Sequence, residues 1–413
     1  MTDGLRVALI ASNRFPIRQP FAGGLEAHVF QLARGLAARG CRVTLFAAPD
    51  SDPALDCQTL QVRPLGLSDA ARRDVSMPST TFMADHHAYL SLMVWLGGAG
   101  SAEFDFIHNH SLHYLPVAMS SMLATPMLTT VHTPPTPWLE SAIDACAGGD
   151  ARFAAVSRHT AAAWQNIAGH VTVVPNGIDI RQWPLGAGGP NLVWFGRITP
   201  EKAPHLAIAA AQRNGRPLVL AGPICDQEYF AQQVAPHLRG NIRYAGHLDH
   251  ERLARLVGGA AAALVTPTWD EPYGLVVAEA ISCGTPVVAF ARGGIPELVS
   301  AAAGRLVGAG DVTAMADAIS EAVRLPRVRV REHAVRHCSA TAMVNSYCDL
   351  YRQMINDSST GGPDDRLLHS PPRSRAPGAG RQYLRSDAAS GDSSNIAGCR
   401  RAASVFRDSE ATA

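Results

Sequence analysis

Two glutamates, Glu271 and Glu279, stand in one short stretch that reads TWDEPYGLVVAEA from Thr268 to Ala280. An apolar run precedes the stretch and a Pro-Tyr-Gly turn divides it, which predicts a strand, a turn and a helix in that order. The first N–H groups of such a helix lack intrahelical partners and suit a phosphate, and carboxylates nearby can accept hydrogen bonds from sugar hydroxyls. We therefore hypothesise a nucleotide-sugar site, against the alternative of a surface turn with two solvated acids.

Two cations are placed to neutralise a diphosphate. Arg197 ends the predicted strand NLVWFGRI, and Lys202 follows five residues later. Parallel sheets present ligand sites at the carboxyl ends of their strands, so both charges are expected at such an edge. This position favours phosphate binding over the alternative, a pair of solvated surface charges.

Two adjacent glycines, Gly23 and Gly24, occupy the first predicted loop between a strand and a helix, and Glu26 opens the helix. Glycines there allow a phosphate or a sugar to approach the backbone closely, although paired glycines also serve plain turns. The spacing is not the G-x-G-x-x-G of a dinucleotide site, so that class is disfavoured.

Histidines follow two other predicted strands. His132 ends PMLTTVH, where it is either a ligand of a sugar hydroxyl or a structural strand-end residue. His108, His110 and His113 lie in IHNHSLH, and the HxH spacing resembles that of metal ligands. No acidic partner is close in the sequence, and His108 and His110 share one face only if the strand continues, so we expect no metal.

Three residues are candidates for an acceptor pocket. Asp85 and His86 lie in the predicted helix FMADHHAYLSLMVWL, and His110 is the third. The alternative for the first two is an ordinary polar face of a helix.

The elements that must position these residues alternate between short apolar runs and helical patterns. In the first half, the strand candidates are LRVALIA, CRVTLFAA, LQVRPL, FDFIHN, PMLTTVH, ARFAAVS and HVTVVPN. A Gly- and Pro-rich linker, 180–191, interrupts this alternation, which then resumes. The pattern predicts an α/β protein with two doubly wound parallel-sheet domains, 1–183 and 190–340, followed by a closing helix, 341–356.

Composition disfavours several classes of protein. The net charge of +1 at pH 7 indicates no general attraction to nucleic acid or to an acidic membrane. The eight cysteines are scattered without a CxxC pair, which disfavours a zinc site or a disulfide framework and favours a reducing, cytoplasmic compartment. We recognise no signal peptide and no transmembrane run, while peripheral membrane contact and the oligomeric state stay open.

The character of the chain changes after Asn356. Residues 357–413 are rich in Ser, Gly, Pro, Arg and Asp without apolar periodicity, which predicts disorder. We expect an unselected or non-native end, and one hypothesis is a frame change near the end of the gene.

Five motifs, in this order, resemble those of one known family. They are FAGGLEAHVFQLARGLAARGCRVTLF, TTVHTP, VVPNGIDI, FGRITPEKAPHLAIAAA and DEPYGLVVAEAISCGTPVVAFARGGIPELV. Over roughly residues 5–355 the chain is similar to the retaining glycosyltransferase family 4, whose E-x7-E signature falls on Glu271 and Glu279. The resemblance implies the GT-B fold, in which two Rossmann-like domains face each other across a cleft.

In the first domain, the resemblance implies that Gly23 and Gly24 approach the donor phosphate or the reacting sugar. It implies that His132 contacts the donor sugar near its anomeric carbon. The PNGIDI motif, with Asn176, would lie at the domain junction, and the helix 341–356 would cross back to the first domain.

In the second domain, the resemblance assigns the diphosphate to Arg197 and Lys202, the sugar hydroxyls to Glu271, and the ribose to Glu279. The backbone amides around the sugar and phosphate would be those of Tyr273, Gly274, Leu275 and Val276. Two departures from the family affect only fine geometry: Ala203 stands where glycine is usual, and Tyr273 stands where phenylalanine is commoner.

The implied activity is transfer of a hexose from a nucleotide diphosphate sugar, with UDP-glucose as the first candidate, to a hydroxyl of a small-molecule, lipid or glycan acceptor. In such enzymes the departing diphosphate oxygen is thought to accept the acceptor's proton on the same face, so anomeric configuration is retained without a metal or other cofactor. The alternatives are an epimerase or phosphorylase of the same fold and a non-catalytic nucleotide-sugar-binding protein.

Overall fold

Two parallel β-sheets form the framework of the computed structural model, which describes residues 4–55, 57–59, 66–146 and 151–360. The strands of the first sheet are β1 (Arg6–Ile10), β2 (Arg42–Ala47), β3 (Cys57–Thr59), β4 (Phe106–Asn109), β5 (Met127–Val131), β6 (Arg152–Ala155) and β7 (Val171–Val173). Those of the second are β8 (Leu192–Phe195), β9 (Leu218–Ala221), β10 (Ile242–Tyr244), β11 (Ala262–Val265), β12 (Val287–Phe290) and β13 (Gly304–Val307). The spatial orders are β3-β2-β1-β4-β5-β6-β7 and β10-β9-β8-β11-β12-β13.

Helices connect the strands in both halves. Those of the first half are α1 (Gly24–Ala37), α2 (Asp69–Arg72), α3 (Thr80–Gly97), α4 (Tyr114–Ala118), α5 (Pro137–Ala145) and α6 (Arg158–Ala168). Those that follow are α7 (Pro204–Asn214), α8 (Gln227–Tyr229), α9 (His250–Gly258), α10 (Leu275–Ser282), α11 (Val312–Ala322), α12 (Arg327–His337) and α13 (Ala340–Thr360). Among the described residues, no helix combines the length and the apolar character that a bilayer span requires.

The strand sequences explain why helices cover both faces of each sheet. LVWF in β8, AALV in β11 and VVAF in β12 are buried at every position. Strands that are buried on both sides read as continuous apolar runs, because each face must pack against helices. Separate hydrophobic clusters lie on the two faces of the second sheet, so the predicted doubly wound α/β architecture is confirmed.

The last helix, α13, packs against α1 of the first half rather than against the second sheet that precedes it. Tyr347 and Tyr351 are fully buried there, and the hydroxyl of Tyr351 lies 2.6 Å from Nδ1 of His108. The chain can return at this point because Gly177 has no side chain: a Cβ on it would lie 2.5 Å from the backbone of Ala340.

The structure differs from the predicted elements in three places. The sequence DQEYFAQQVAPHL (226–238) predicts one helix by its apolar spacing, but the structure breaks it into α8, a π-helical turn and a 3-10 turn, where Pro236 cannot donate a helical hydrogen bond. The helix α12 was not predicted, because its sequence is polar and only Val330 and Ala334 are buried. The closing helix runs on to Thr360, so the predicted end at 356, and with it disorder from 357, is wrong for 357–360. The strand candidate LQVRPL (60–65) and residues 361–413 lie outside the described residues.

Candidate active site

A cavity of about 410 Å³ lies between the carboxyl ends of the two sheets. From the first half it is lined by the loop after β1, the beginning of α1 and His132 after β5. From the second half it is lined by residues that follow β8 and β11 and by the beginning of α10. The sequence-predicted residues that line it are Gly23, Gly24, His132, Arg197, Lys202, Glu271, Tyr273, Gly274, Leu275, Val276 and Glu279.

Glu271 is held by two neighbours in the loop that follows β11. Its Oε2 forms an ion pair with Nζ of Lys202 and accepts a hydrogen bond of 3.0 Å from Nε1 of Trp269. Nζ of Lys202 also lies 5.0 Å from the centre of the Trp269 ring, within the range of a cation–π contact. Sequence reasoning missed Trp269, although an aromatic residue two positions before a candidate acid was the available signal.

The turn between Glu271 and α10 is bound to the first domain. The carbonyl oxygen of Pro272 accepts hydrogen bonds of 2.6 Å from Oγ of Ser157 and 3.1 Å from Oγ1 of Thr160. The hydroxyl of Tyr273 donates to the carbonyl oxygen of Asn176 at 2.5 Å. The phenol explains why tyrosine suits this position, because phenylalanine offers no such donor.

Two glycines allow the turn to pack tightly. Gly274 caps α10 with φ of 98°, in the left-handed region that favours glycine. Gly293 has φ of 61°, and a Cβ on it would lie 2.1 Å from the carbonyl oxygen of Glu271. The backbone of the following Gly294 donates to the same oxygen at 2.7 Å. The position of Glu271 is therefore set from its backbone as well as from its side chain.

The beginning of α10 faces the cavity with free donors. No side chain caps this helix, and the N–H groups of Leu275 and Val276 in its first turn have no intrahelical partner. Gly24 of the first domain lies directly opposite, since a Cβ on it would meet Leu275 at 3.0 Å. The absence of a side chain on Gly24 thus keeps the entrance to these donors open.

Glu279 lies one turn into α10 and lines the same cavity. No hydrogen-bond donor among the described residues reaches its carboxyl group. Burial raises the pKa of Glu279 to about 8, because the charged form has lost water without gaining a partner. An unpaired carboxyl at this place can accept hydrogen bonds from a diol of a ligand.

Arg197 faces both sides of the cleft. Its guanidinium lies 3.8 Å from Oε1 of Glu201 in its own domain. Across the cleft, its charge also acts on Glu26 of the first domain. Burial raises the pKa of Glu26, whereas the positive charges of Arg197 and Arg14 lower it. Arg14 was not predicted as a site residue, and it lines the cavity as well.

His132 contacts a second histidine below the cavity. Its Nε2 lies 3.0 Å from Nδ1 of His110, so one nitrogen carries the proton and the other accepts it. Burial holds the pKa of both side chains well below the usual range, and both rings are therefore neutral at pH 7. His110 has no exposed surface and lies beneath His132 rather than on the cavity wall.

The two other acceptor candidates lie outside the cavity lining, on α3. Oδ1 of Asp85 accepts a hydrogen bond of 2.9 Å from Nδ2 of Asn13, which follows β1. Nδ1 of His86 lies 3.0 Å from the hydroxyl of Tyr114. Both side chains are half-buried, and they lie beside an aromatic group that includes the exposed Trp138.

Two family models match consecutive parts of the chain. The model described as Glycosyltransferase Family 4 matches residues 22–182, and the one described as Glycosyl transferases group 1 matches residues 178–336. The boundary between the two matches falls between β7 and β8, where the first sheet ends and the second begins.

Individual proteins resemble the chain over most of its length. Glycogen synthase of Mycobacterium tuberculosis is 30% identical, over 71% of this chain and 80% of the relative. Sucrose-phosphate synthase of Thermosynechococcus elongatus has a TM-score of 0.71 at 22% identity, covering 86% of this chain and 100% of its own. Anabaena HepE in complex with UDP-glucose has a TM-score of 0.66 at 18% identity, covering 84% and 100%. The two structural likenesses show a shared fold, which is GT-B.

Proposed function

Because the chain belongs to glycosyltransferase family 4, we propose that it transfers a hexose from a nucleoside diphosphate sugar to an acceptor hydroxyl, with retention of anomeric configuration and without a metal. The observation that carries this proposal is the arrangement around α10. Glu271 with Lys202, the free N–H groups of the first turn, and Glu279 line one continuous cavity. These are the groups that a sugar, a diphosphate and a ribose require, in that order.

Helix geometry supports this division of roles. Glu279 is four residues beyond Leu275, and a rise of about 1.5 Å per residue places it roughly 6 Å further along α10. A ribose is separated from the terminal phosphate of a nucleoside diphosphate by a comparable length. A phosphate on the first N–H groups of α10 therefore brings a ribose within reach of the Glu279 carboxyl.

The chemical step breaks the bond between the anomeric carbon and the diphosphate oxygen, and forms a bond to the acceptor oxygen on the same face. The acceptor's proton passes to the departing diphosphate oxygen, so atoms and charge balance. Arg197, Lys202 and the beginning of α10 stabilise the charge that develops on the leaving group. Neutral His132 offers a hydrogen bond to a hydroxyl of the donor sugar without adding charge.

UDP-glucose is the donor that we propose first. The support comes from HepE, which shares the fold and whose structure was obtained in complex with UDP-glucose. We propose a cytoplasmic location because the eight cysteines are scattered along the chain without a CxxC pair, which favours a reducing compartment.

The proposal is tested by incubating the full chain with UDP-, GDP- and ADP-hexoses and a panel of acceptors, and by measuring release of nucleoside diphosphate with and without EDTA. We expect acceptor-dependent release with one donor, unaffected by the chelator, and a product whose anomeric configuration by NMR matches that of the donor. Conversion of the donor to an epimer without acceptor would favour the epimerase alternative. Saturable binding without any turnover would favour a binding protein.

A further inference from the structure

Three histidines from different elements meet beneath the cavity, where His132 forms part of its wall. His28 lies on α1, His110 follows β4, and His132 follows β5. We call them the histidine cluster. Among the described residues they form the group of three potential metal ligands whose donor atoms all lie within 4.8 Å of one another.

The ring positions agree with tetrahedral coordination. The ring centroids are separated by 5.1 Å for His28 and His110, 4.9 Å for His28 and His132, and 5.3 Å for His110 and His132. A tetrahedral zinc ion bound at about 2.05 Å would place imidazole centroids about 5.2 Å apart, and their ligating nitrogens about 3.3 Å apart. The closest nitrogen pair, Nδ1 of His110 and Nε2 of His132, is at 3.0 Å.

Three ring nitrogens of this cluster have no hydrogen-bond partner among the described residues, while Nδ1 of His110 and Nε2 of His132 face each other. His28 is 1% exposed, and neither of its ring nitrogens has a hydrogen-bond partner of normal geometry among the described residues, although the side chain of Asn176 acts to raise its pKa. Nε2 of the fully buried His110 is also without a partner. An unpaired buried polar group is destabilising, and coordination of an ion would satisfy the nitrogens that bind it.

The surroundings hold the rings neutral and in place. Burial lowers the pKa of His28 to about 4 and holds that of His110 and His132 well below the usual range. Metal ions bind the neutral form of imidazole. His108 supports the cluster from behind, because its two nitrogens are already bonded to Tyr351 and Thr130 and its ring lies 3.9 Å from that of His110.

We propose that the histidine cluster binds a zinc-class divalent ion through three imidazole nitrogens, next to the donor cavity that His132 lines. Three nitrogen ligands and no carboxylate favour Zn²⁺, Co²⁺ or Ni²⁺ over Mg²⁺ or Ca²⁺. The ion would engage His132, which lines the cavity, and thereby inhibit transfer. This inhibitory effect rests on the proposed function, whereas the metal site itself does not.

The binding test uses the full chain after removal of metals. Competition with a chromophoric zinc chelator is expected to show one equivalent of Zn²⁺, and Co²⁺ is expected to give the visible spectrum of a tetrahedral site. His28→Gln should weaken zinc binding by more than about tenfold. The matched control is His337→Gln, which removes an exposed histidine whose ring lies 4.6 Å from that of His333 and should leave the cluster's zinc affinity unchanged.

A second variant, His28→Cys, distinguishes loss of a ligand from failure to fold, because a thiolate can replace imidazole as a zinc ligand. It should keep one zinc equivalent and change the cobalt spectrum through a sulfur ligand. The proposal is overturned if the wild-type chain binds no stoichiometric zinc, or if His337→Gln rather than His28→Gln removes it.

The inhibition is measured separately. Zn²⁺ is expected to slow hexose transfer and a chelator to restore it, and His28→Gln should raise the inhibitory zinc concentration by the factor found for binding. If no donor supports transfer while one zinc equivalent still binds, the proposed function fails and the metal site stands. If transfer proceeds but saturated zinc does not slow it, the inhibitory role is rejected.

Discussion

At the scale of single residues, the ion pair between Lys202 and Glu271 joins binding to stability. The two side chains are only 21% and 15% exposed, so removal of one partner leaves a poorly solvated charge. The same lysine is placed to face the leaving diphosphate. The two roles of Lys202 can be separated experimentally. Its contribution to stability depends on the ion pair with Glu271, whereas its proposed contact with the diphosphate does not.

We predict that Lys202→Met lowers kcat/KM for the donor by on the order of 10²–10³, the usual effect of removing one group that stabilises developing negative charge. It should also lower the melting temperature, because Glu271 loses its partner. Adding Glu271→Gln should restore the melting temperature but not the activity. Recovery of activity in the double variant, measured by steady-state kinetics, would contradict the assignment.

Glu279 gives a prediction about pH. Ribose hydroxyls donate hydrogen bonds to a carboxylate, so the nucleotide should bind the ionised form, and its affinity should fall as the pH decreases below about 8. Glu279→Gln should bind nucleoside diphosphate more weakly at pH 9, by about 1.5–3 kcal/mol, and with little dependence on pH. Calorimetric titrations between pH 6 and 9 would decide the matter, and a flat wild-type profile would refute the ribose role.

The same group affects folding with a defined sign. The pKa of Glu279 is raised in the folded chain from its ordinary value of 4.5 to about 8 because the group is buried, so folding favours its neutral form. Its contribution to stability is therefore present below pH 4.5 and is lost as the pH rises toward 8. We expect Glu279→Gln to unfold at a higher temperature than wild type at pH 9, with the difference shrinking toward pH 5.

At the scale of elements, the beginning of α7 contains local strain. Ala203 caps this helix with φ of 47° and is fully buried. A left-handed conformation costs a non-glycine residue about 1–2 kcal/mol, while glycine carries an entropic cost of about 0.5–1 kcal/mol. The glycine that is usual in the family at this position has a plain physical reason.

We predict that Ala203→Gly stabilises the chain by up to about 1 kcal/mol, the difference between the strain relieved and the entropy lost. The control is Ala209→Gly in the interior of the same helix, which should destabilise by about 1 kcal/mol. Both free energies of unfolding follow from denaturant titration. Equal effects of the two substitutions would show that backbone strain at Ala203 is unimportant.

At the scale of the whole molecule, hydrogen bonds join the two sides of the cleft. Glu297 of the second domain accepts hydrogen bonds of 3.0 Å and 2.8 Å from the backbone N–H groups of Arg158 and His159, at the beginning of α6. Ser157 and Thr160 bind the carbonyl oxygen of Pro272 beside them. The beginning of α6 therefore helps to set the distance between the donor-binding turn and the first domain, together with the hydrogen bond from Tyr273 to Asn176.

We predict that Glu297→Ala loosens closure and lowers kcat/KM about tenfold, because hydrogen bonds to a charged acceptor are worth about 1.5–3 kcal/mol. Small-angle scattering should show a larger radius of gyration. Glu321→Ala is the control, since Glu321 pairs with Arg305 within the second domain at 2.9 Å and does not cross the cleft. The prediction is wrong if both variants behave alike.

What the sequence determined by itself was the alternation of elements and the residues at their ends. Continuous apolar runs such as LVWF and AALV indicate strands that are buried on both faces of a sheet. This local signal predicted two doubly wound sheets. Glu271, Glu279, Arg197 and Lys202 were recognised because strand ends of parallel sheets converge on one edge, and the structure brings all four to one cavity.

The tertiary structure alone decided which distant residues meet. His28 was not predicted as a site residue, because a single histidine on an amphipathic helix carries no sign of two others that lie more than eighty positions away. The sequence likewise gives no sign that Lys202 lies over the ring of Trp269, or that Tyr351 contacts His108. Local periodicity reports how deeply a segment is buried, whereas the partner of each side chain depends on how the sheets and helices pack, and only the folded chain contains that information.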